Sequence, residues 1–573
     1  MVIKVSNKHT MIVIGVCVLS LMVCLGETLF NTKGEPREAV VALSMLNEGN
    51  FILPINNGVD MAYKPPLFHW LIALFSLPVG HVTEFTSRLP SAVALTAMTV
   101  AVYRFFAHRV SPKTALLVVL VMLGSFEVHR AGTNCRVDML TTAGIVGALL
   151  GYFIWAEKRF RGIPFEAILC MSVAVLSKGP VGVILPSAVV FIYGLRMGAF
   201  KELLWKLPLY ALCALILPFV WYLFAYDYGG KEFLDLVYEE NVLRFTGQMS
   251  YSSHENPWWY NVVTVIAGYV PYTLLIVMSI FVYRRKTPLF YPHSWRVRLK
   301  RYIKDEKGYR LYSLVSIVFI FLFYCVPSSK RSVYLLPIYP FIAYFIVEYM
   351  IALMRSHHKV VHAFAYTLGG IAVAALALFF AIRAGVVPES IFSGKHAADN
   401  IAMLRAMGSS PISLIGCLAI VAPIAAVAVF HFFRRKGEFE RMVAVTAIVL
   451  SVLFAVDGLY APAALNYRSD KRVAERINDI QPEGKLYHYR ANEEKANIVR
   501  PYTVDFYTGD RFVPFAIGRP DRCYLLSADK DMAVFGTLYP QYAVKEVEDF
   551  NHKSCDTRQM YKLYYVVNNG AGK

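Results

Sequence analysis

Apolar segments of about 20 residues recur from Met11 to roughly Asp457, separated by short charged or Pro/Gly-containing breaks. A helix of that length crosses a hydrocarbon layer. Met11 to Phe30, Thr114 to Met122 and Val360 to Phe380 run apolar without alternating, whereas a transmembrane barrel would show alternating runs of about ten residues. The pattern predicts an α-helical multi-pass membrane protein, with about 13 spans over residues 1–457. Residues 65–80, bracketed by Pro65-Pro66 and Pro78-Val79-Gly80, read as an interfacial helix rather than a span. The opening segment reads as an uncleaved first span. Its alternative is a signal peptide with Lys4 and Lys8 as the basic region.

Past Asp457 the pattern changes. Arg468, Asp470, Lys471, Arg472, Glu475 and Arg476 arrive in one run, and apolar positions become periodic rather than continuous. Asp470 to Ile480 predicts an amphipathic helix, and Lys485 to Tyr489, Arg522 to Leu526 and Lys562 to Val567 predict strands. Residues 458–573 are enough for a small C-terminal α/β domain outside the membrane. Cys523 and Cys555 fall within it, as a disulfide or as two buried thiols.

Composition agrees: 57% hydrophobic and 17% charged residues, with mean hydropathy +0.46, exclude a soluble globule with a polar skin. The 58 Lys and Arg against 40 Asp and Glu give +18, a balance that can suit nucleic acid. Distribution decides otherwise, because the positive charge sits in alternate loops. Basic clusters at Lys4/Lys8, Arg104/Arg109/Lys113, Lys158/Arg159/Arg161, Arg196/Lys201/Lys206, Arg284 to Arg310, Arg355/Lys359 and Arg434 to Arg441 are assigned to the cytoplasm. The opposite loops are then 31–85, 127–138, the turn at Lys178, 227–259, 327–333, 384–411 and everything after Asp457. The loop from Arg284 to Arg310, interleaved with Tyr291, Trp295 and Tyr302, suits anionic headgroups of membrane lipids, not nucleic acid.

Almost every residue with catalytic potential lies in those opposite loops. The first reads Lys33-Gly34-Glu35-Pro36-Arg37-Glu38-Ala39 and ends Tyr63-Lys64-Pro65-Pro66. A carboxylate there can orient or deprotonate a nucleophile, and Arg and Lys can neutralise a phosphate leaving group. Taken singly, such residues also serve as interfacial anchors. No GxxxxGK[ST] motif supports an ATP-driven pump, and no Gly-rich strand-turn-helix supports a nucleotide-sugar site. The cysteines show no metal-ligand spacing.

Taken in order, the motifs resemble the GT-C integral-membrane glycosyltransferases, specifically the aminoarabinose (lipid A) transferase and protein mannosyltransferase superfamily. The series is Gly34-Glu35-Pro36-Arg37-Glu38-Ala39 with Ser44-Met45-Leu46 and Gly49-Asn50, then Lys64-Pro65-Pro66-Leu67 and Arg88-Leu89-Pro90-Ser91. Arg136-Val137-Asp138, Ser177-Lys178-Gly179-Pro180 and Asn241-Val242-Leu243-Arg244-Phe245 leading to His254 follow. Ser328-Ser329-Lys330-Arg331 with Tyr334-Leu335-Leu336-Pro337 closes it. The resemblance covers about residues 11–350, the remainder matching in layout.

What it implies is transfer of a sugar from a polyprenyl-phosphate donor to lipid A or a related envelope glycolipid, on the periplasmic face of a bacterial inner membrane. A serine or threonine of an exported protein is the alternative acceptor. Glu35 and Asp138 are the implied catalytic carboxylates; Arg37, Lys64, Arg244, Lys330 and Tyr334 the implied phosphate contacts; Arg136, Lys178 and His254 secondary candidates. Two departures stand out. Gly34 occupies the place of the signature's aspartate, and Tyr63 stands where aminoarabinose transferases carry a glutamate implicated in metal binding. No cofactor is required by the sequence, and a divalent metal stays open, with His254 and Glu255 as its remaining candidate ligands. A lipid or sugar transporter is the competing class; it would show inverted repeats and midplane charges, whereas this sequence shows no internal repeat and charges inside its spans are scarce.

Overall fold

A computed structural model of the chain describes residues 7–248, 254–283, 300, 308–491 and 499–569. Most of the basic loop from Arg284 to Arg310, and Lys4, lie outside the described residues. The membrane-type part is helical apart from a small hairpin in its first loop. In chain order it begins with α1 (Asn7–Cys17), α2 (Pro36–Glu48), α3 (Leu67–Ser76), α4 (Glu84–Arg109) and α5 (Pro112–Leu123). It continues with α6 (Phe126–Gly132), α7 (Val137–Glu157), α8 (Phe165–Lys178), α9 (Val181–Arg196) and α10 (Phe200–Tyr238), followed by further long helices up to Leu465.

Six helical stretches among the described residues are long and apolar enough to cross a membrane. Two bent pairs, broken by 74° between α5 and α6 and by 97° between Gly268 and Tyr272, raise that to eight. Four shorter apolar helices accompany them, including α3, the short helix expected over 65–80. The stretch Ser332–Arg383 holds 52 residues and is interrupted at His357, where the backbone leaves helical geometry. Arg355 and Lys359 flank that break. Tyr103, Phe106, Tyr152, Phe153, Tyr312 and Tyr344 fill the bundle's centre, all nearly inaccessible.

The last helical stretch runs on to Arg468, and a five-stranded sheet follows. Its strands are β3 (Leu486–His488), β4 (Phe512–Pro514), β5 (Arg522–Ser527), β6 (Tyr542–Lys553) and β7 (Met560–Asn568), in the order β4-β3-β5-β7-β6. β3 runs parallel to β4 and β5, while β7 is antiparallel to β5 and β6. The helix Lys471–Ile480 presents Val473, Ala474 and Ile477 to one face, where they pack on Leu486, Leu526 and Leu563. Phe515 and Phe535 cover the other face against Leu525 and Val566. β3, β5 and β7 appear where alternation predicted strands. β4 and β6 were not foreseen: the first is a three-residue edge, and the second is broken by two register shifts that hide its alternation. Cys523 and Cys555 are both buried, free thiols.

The first loop joins the two parts. Between α2 and α3, β1 (Ile55–Asn56) and β2 (Asp60–Met61) form a small hairpin turning through Asn57 and Gly58, both at positive φ. A side chain at Gly58 would also meet Val513 at 2.9 Å, so the turn rests against the sheet. Arg500 clasps Asp60 through two hydrogen bonds of 3.2 Å, Asn47 donates to the Gly509 carbonyl at 3.0 Å, and Tyr507 donates to Glu84 at 2.7 Å.

Candidate functional site

The first-loop signature folds as the start of α2. Glu35 is its N-cap residue, Pro36 takes the first helical position, where a missing N–H costs nothing, and Gly49 ends the helix in the left-handed region. Glu35 and Glu38, three residues apart, both turn inward yet meet different partners. Arg88 donates to the two Glu35 oxygens at 2.8 and 2.9 Å, and the Cys135 N–H donates to Glu35 Oε1 at 2.9 Å. The other terminal nitrogen of Arg88 donates to the Leu25 and Thr28 carbonyls. Burial alone would raise the Glu35 pKa, but the charge and hydrogen bonds of Arg88 hold it below the ordinary value.

Glu38 is 3% exposed and lies among three cationic or polar partners. It pairs with Lys64, accepts from Arg37 at 3.5 Å, and sits 3.0 Å from His69 Nε2. Burial opposes its ionisation, yet Lys64, His69 and Arg37 together keep it well below the usual carboxylate range. Lys64 is pulled down to about 8, chiefly by burial and then by Arg37, with Glu38 working the other way.

Arg136 caps α7 and Asp138 occupies its first turn. Asp138 pairs with Lys178, at the end of α8, and that ammonium stands 4.4 Å from the Tyr334 ring centroid. The Arg136 guanidinium lies on Gly34: a Cβ there would fall 1.5 Å from its terminal nitrogen. Any side chain in place of Gly34 would require the Arg136 guanidinium to swing away. Arg244 pairs with Glu240, one helical turn earlier. Lys330 is buried, and its ammonium donates to the Pro327 carbonyl. His254 accepts the Lys330 N–H at 3.0 Å through its carbonyl, and partial burial followed by the charges of Arg331, Arg244 and Arg136 lowers its pKa.

A cavity of about 480 Å³ opens beside this cluster, with Glu35, Arg88, Arg136, Asp138 and Arg331 in its wall. His129 and Asp457, 2.7 Å apart, line it too, as do apolar Val333, Leu453 and Val456. Among the described residues neither Arg136 nor Arg331 has a carboxylate within ion-pair distance. The hollow therefore carries surplus positive charge beside an apolar wall. Of the expected residues, Glu35, Arg136 and Asp138 line it and Lys178 and Tyr334 adjoin it through Asp138, while Arg37, Lys64, Arg244, Lys330 and His254 do not reach its lining. The neighbour Arg331 lines the cavity instead of Lys330.

Sequence reasoning also missed Glu38, His69, His129 and Asp457. Glu38 had a signal in its spacing of three from Glu35. His69 and His129 had none, since their partners are 31 and 328 residues away. The residues here do not fit a divalent cation, because the carboxylates in the cavity wall are already engaged, Glu35 by Arg88, Asp138 by Lys178 and Asp457 by His129. Among the described residues, the one trio of ligand-type side chains close enough for a metal is Asp470, Cys555 and Asp556, in the C-terminal domain.

Residues 63–222 match the family model described as dolichyl-phosphate-mannose-protein mannosyltransferase. The crystal structure of ArnT from Cupriavidus metallidurans bound to undecaprenyl phosphate superimposes with a TM-score of 0.70 at 17% identity, covering 99% of both chains. The fold is that of the GT-C glycosyltransferases. A protein of unassigned function from Aquifex aeolicus (strain VF5) is 28% identical over 369 residues, 63% of this chain and 68% of its own length. The undecaprenyl phosphate-alpha-4-amino-4-deoxy-L-arabinose arabinosyl transferase of Enterobacter sp. (strain 638) is 24% identical over 391 residues, 65% of this chain and 67% of its own. The resemblance read from the ordered motifs and these similarities agree on a glycosyltransferase of aminoarabinose transferase type.

Proposed function

We propose that this GT-C protein transfers a sugar from a polyprenyl-phosphate carrier to an envelope glycolipid, with lipid A the first candidate, at the periplasmic face of a bacterial inner membrane. The observation that carries this reading is the cavity wall: two guanidiniums without carboxylate partners among the described residues, Arg136 and Arg331, face a hollow that also holds Asp138 and an apolar side. Such a hollow suits an anionic head attached to a hydrocarbon tail. The names of the arabinosyl transferases and the undecaprenyl phosphate bound to ArnT support a polyprenyl-phosphate donor.

In the reaction, an acceptor oxygen attacks the anomeric carbon, the bond from that carbon to the phosphate oxygen breaks, and its electron pair leaves on polyprenyl phosphate. The charge that develops on the phosphate is what the protein must stabilise. Arg136 and Arg331 supply positive charge in the cavity wall, and Lys64, held by Glu38 outside that lining, adds to the positive charge of the same loop cluster. Asp138 is the carboxylate placed to take a proton from a hydroxyl acceptor; an acceptor phosphate, ionised at neutral pH, needs no such base. Glu35, with both oxygens engaged by Arg88 and Cys135, fits a positioning role that ties α2 to α4 and to the turn before α7. Lys178 pairs with Asp138 beneath the Tyr334 ring and holds that carboxylate in place.

The protein-mannosyltransferase description of the family model favours a second reading, a hydroxyl of an exported protein as acceptor. Mass spectrometry of lipid A and envelope glycoproteins, from cells with and without the chain, separates the two. Loss of a sugar from neither fraction would overturn the proposal. Purified protein carrying Arg136→Gln or Arg331→Gln should transfer at least tenfold more slowly from a polyprenyl-phosphate sugar.

A further inference from the structure

The C-terminal domain holds a second recess, of about 690 Å³, at the end of the sheet where β3 and β5 begin. Lys545, Tyr565 and Tyr524 lie side by side across β6, β7 and β5 by register, so three adjacent strands place them on one face. With strands about 4.8 Å apart, that row spans roughly 10 Å, the length of a disaccharide. The two tyrosine rings stand 5.1 Å apart at 57°, both part-exposed. The apolar cluster under the helix Lys471–Ile480 takes in Leu526 and Leu563 on this face but Tyr524 only at its margin, and it does not reach Tyr565. The rings are thus left uncovered at the sheet's end.

Lys485, Arg522 and Lys545 surround these rings, all three exposed, and among the described residues none has a hydrogen-bond or ion-pair partner for its side chain. One carboxylate lines the recess, that of Glu546, and it is engaged by Lys562 at 3.2 Å. A register shift between Glu546 and Glu548 leaves Val547 as an extra residue in β6, bending that strand at the rim. Solvated lysines are common on surfaces, but here three cations with no partner converge on an aromatic floor inside a concavity. Aromatic faces pack on the C–H face of a sugar ring, and the flanking cations add recognition of a phosphate or carboxylate.

From this juxtaposition we infer that the C-terminal domain carries a binding site for an anionic saccharide, a phosphate- or carboxylate-bearing sugar of about two rings, separate from the cavity beside Arg136. It goes beyond the transfer reaction and does not depend on it. The site recognises the glycan itself; recognition of an anionic lipid surface alone is the competing outcome.

The test is titration of the full-length, detergent-solubilised protein with a phosphorylated hexosamine disaccharide, the same disaccharide without phosphate, inorganic phosphate, and phosphatidylglycerol vesicles. The phosphorylated disaccharide should bind at least tenfold more tightly than the neutral one or phosphate alone. Binding should weaken with salt and fall tenfold or more in the Arg522→Gln/Lys545→Gln double variant and in Tyr565→Ser. The charge variant changes exposed side chains alone, so it stays informative if Tyr565→Ser fails to fold. Equal binding of inorganic phosphate or of vesicles, unchanged binding in the charge variant, or no binding of the phosphorylated disaccharide overturns the assignment.

Discussion

Glu38 in the first loop and Asp556 in the C-terminal domain are both buried carboxylates, yet their proton affinities move in opposite directions. Around Glu38 the chain supplies Lys64, Arg37 and His69, whose charges and hydrogen bonds outweigh burial and keep the acid ionised. Around Asp556 it supplies the Thr503 N–H at 2.6 Å and hydroxyl at 3.0 Å, with a second acid, Asp470, nearby. Burial and the Asp470 charge push Asp556 up to about 7. Asp470 in turn accepts from His552, Ser554 and the Cys555 N–H, tying the β6–β7 turn to the start of the helix Lys471–Ile480. Opposite charges around a carboxylate leave a charged surface ready for an anion. Neutral donors around one make a structural clasp.

The contrast can be broken most forcefully at the other first-loop pair. Arg88→Ala leaves Glu35 buried without its cation and should cost about 3–5 kcal/mol, read as a lowered melting temperature in detergent. Replacing both partners, Glu35→Leu with Arg88→Met, should recover most of it; a single variant as stable as the parent would show that the pair does not hold α2 to α4. Next in size is Lys64→Ala, expected to lower kcat/KM by about 10²–10³ and, because it leaves buried Glu38 short of a cation, to lower the melting temperature as well. Undiminished transfer would remove Lys64 from the site.

Acidity sharpens the comparison further. Lys64 carries its charge below its pKa of about 8 and loses it above, so kcat/KM should decline as pH rises through that value. Lys64→Arg should carry activity to higher pH, and a decline identical in that variant would place the titration elsewhere. The smallest effect concerns stability. Because the folded state raises the Asp556 pKa from 3.8 to about 7, it holds that proton more tightly than the unfolded chain does. This contribution is full below about pH 4 and is lost as pH climbs toward 7. Asp556→Asn should flatten the slope in a denaturation series across that range.

Apolar helices and the C-terminal strands β3, β5 and β7 were legible because long apolar runs and alternation are local signals; the expected count of about 13 spans was not matched, since among the described residues six stretches, or eight with the bent pairs, are long and apolar enough to cross. Three of the expected site residues, Glu35, Arg136 and Asp138, do line the cavity, since the bundle brings together motifs far apart in the chain. Lys330 was named where its neighbour Arg331 faces the hollow: adjacent residues at the start of a short helix point in different directions, and nothing in the sequence says which turns inward. Glu35 and Glu38 are likewise indistinguishable in the motif. Their partners Arg88 and Lys64 lie 53 and 26 residues downstream.

The sequence by itself determined the solvent of each region: apolar length assigned residues before Asp457 to helices in lipid, and the return of periodic polarity assigned the remainder to water. It also determined which charges are available near the loops. Which of those charges neutralise each other, and which remain to meet a ligand, was decided only by tertiary structure, because an ion pair forms within about 4 Å and depends on how helices far apart in the chain are packed.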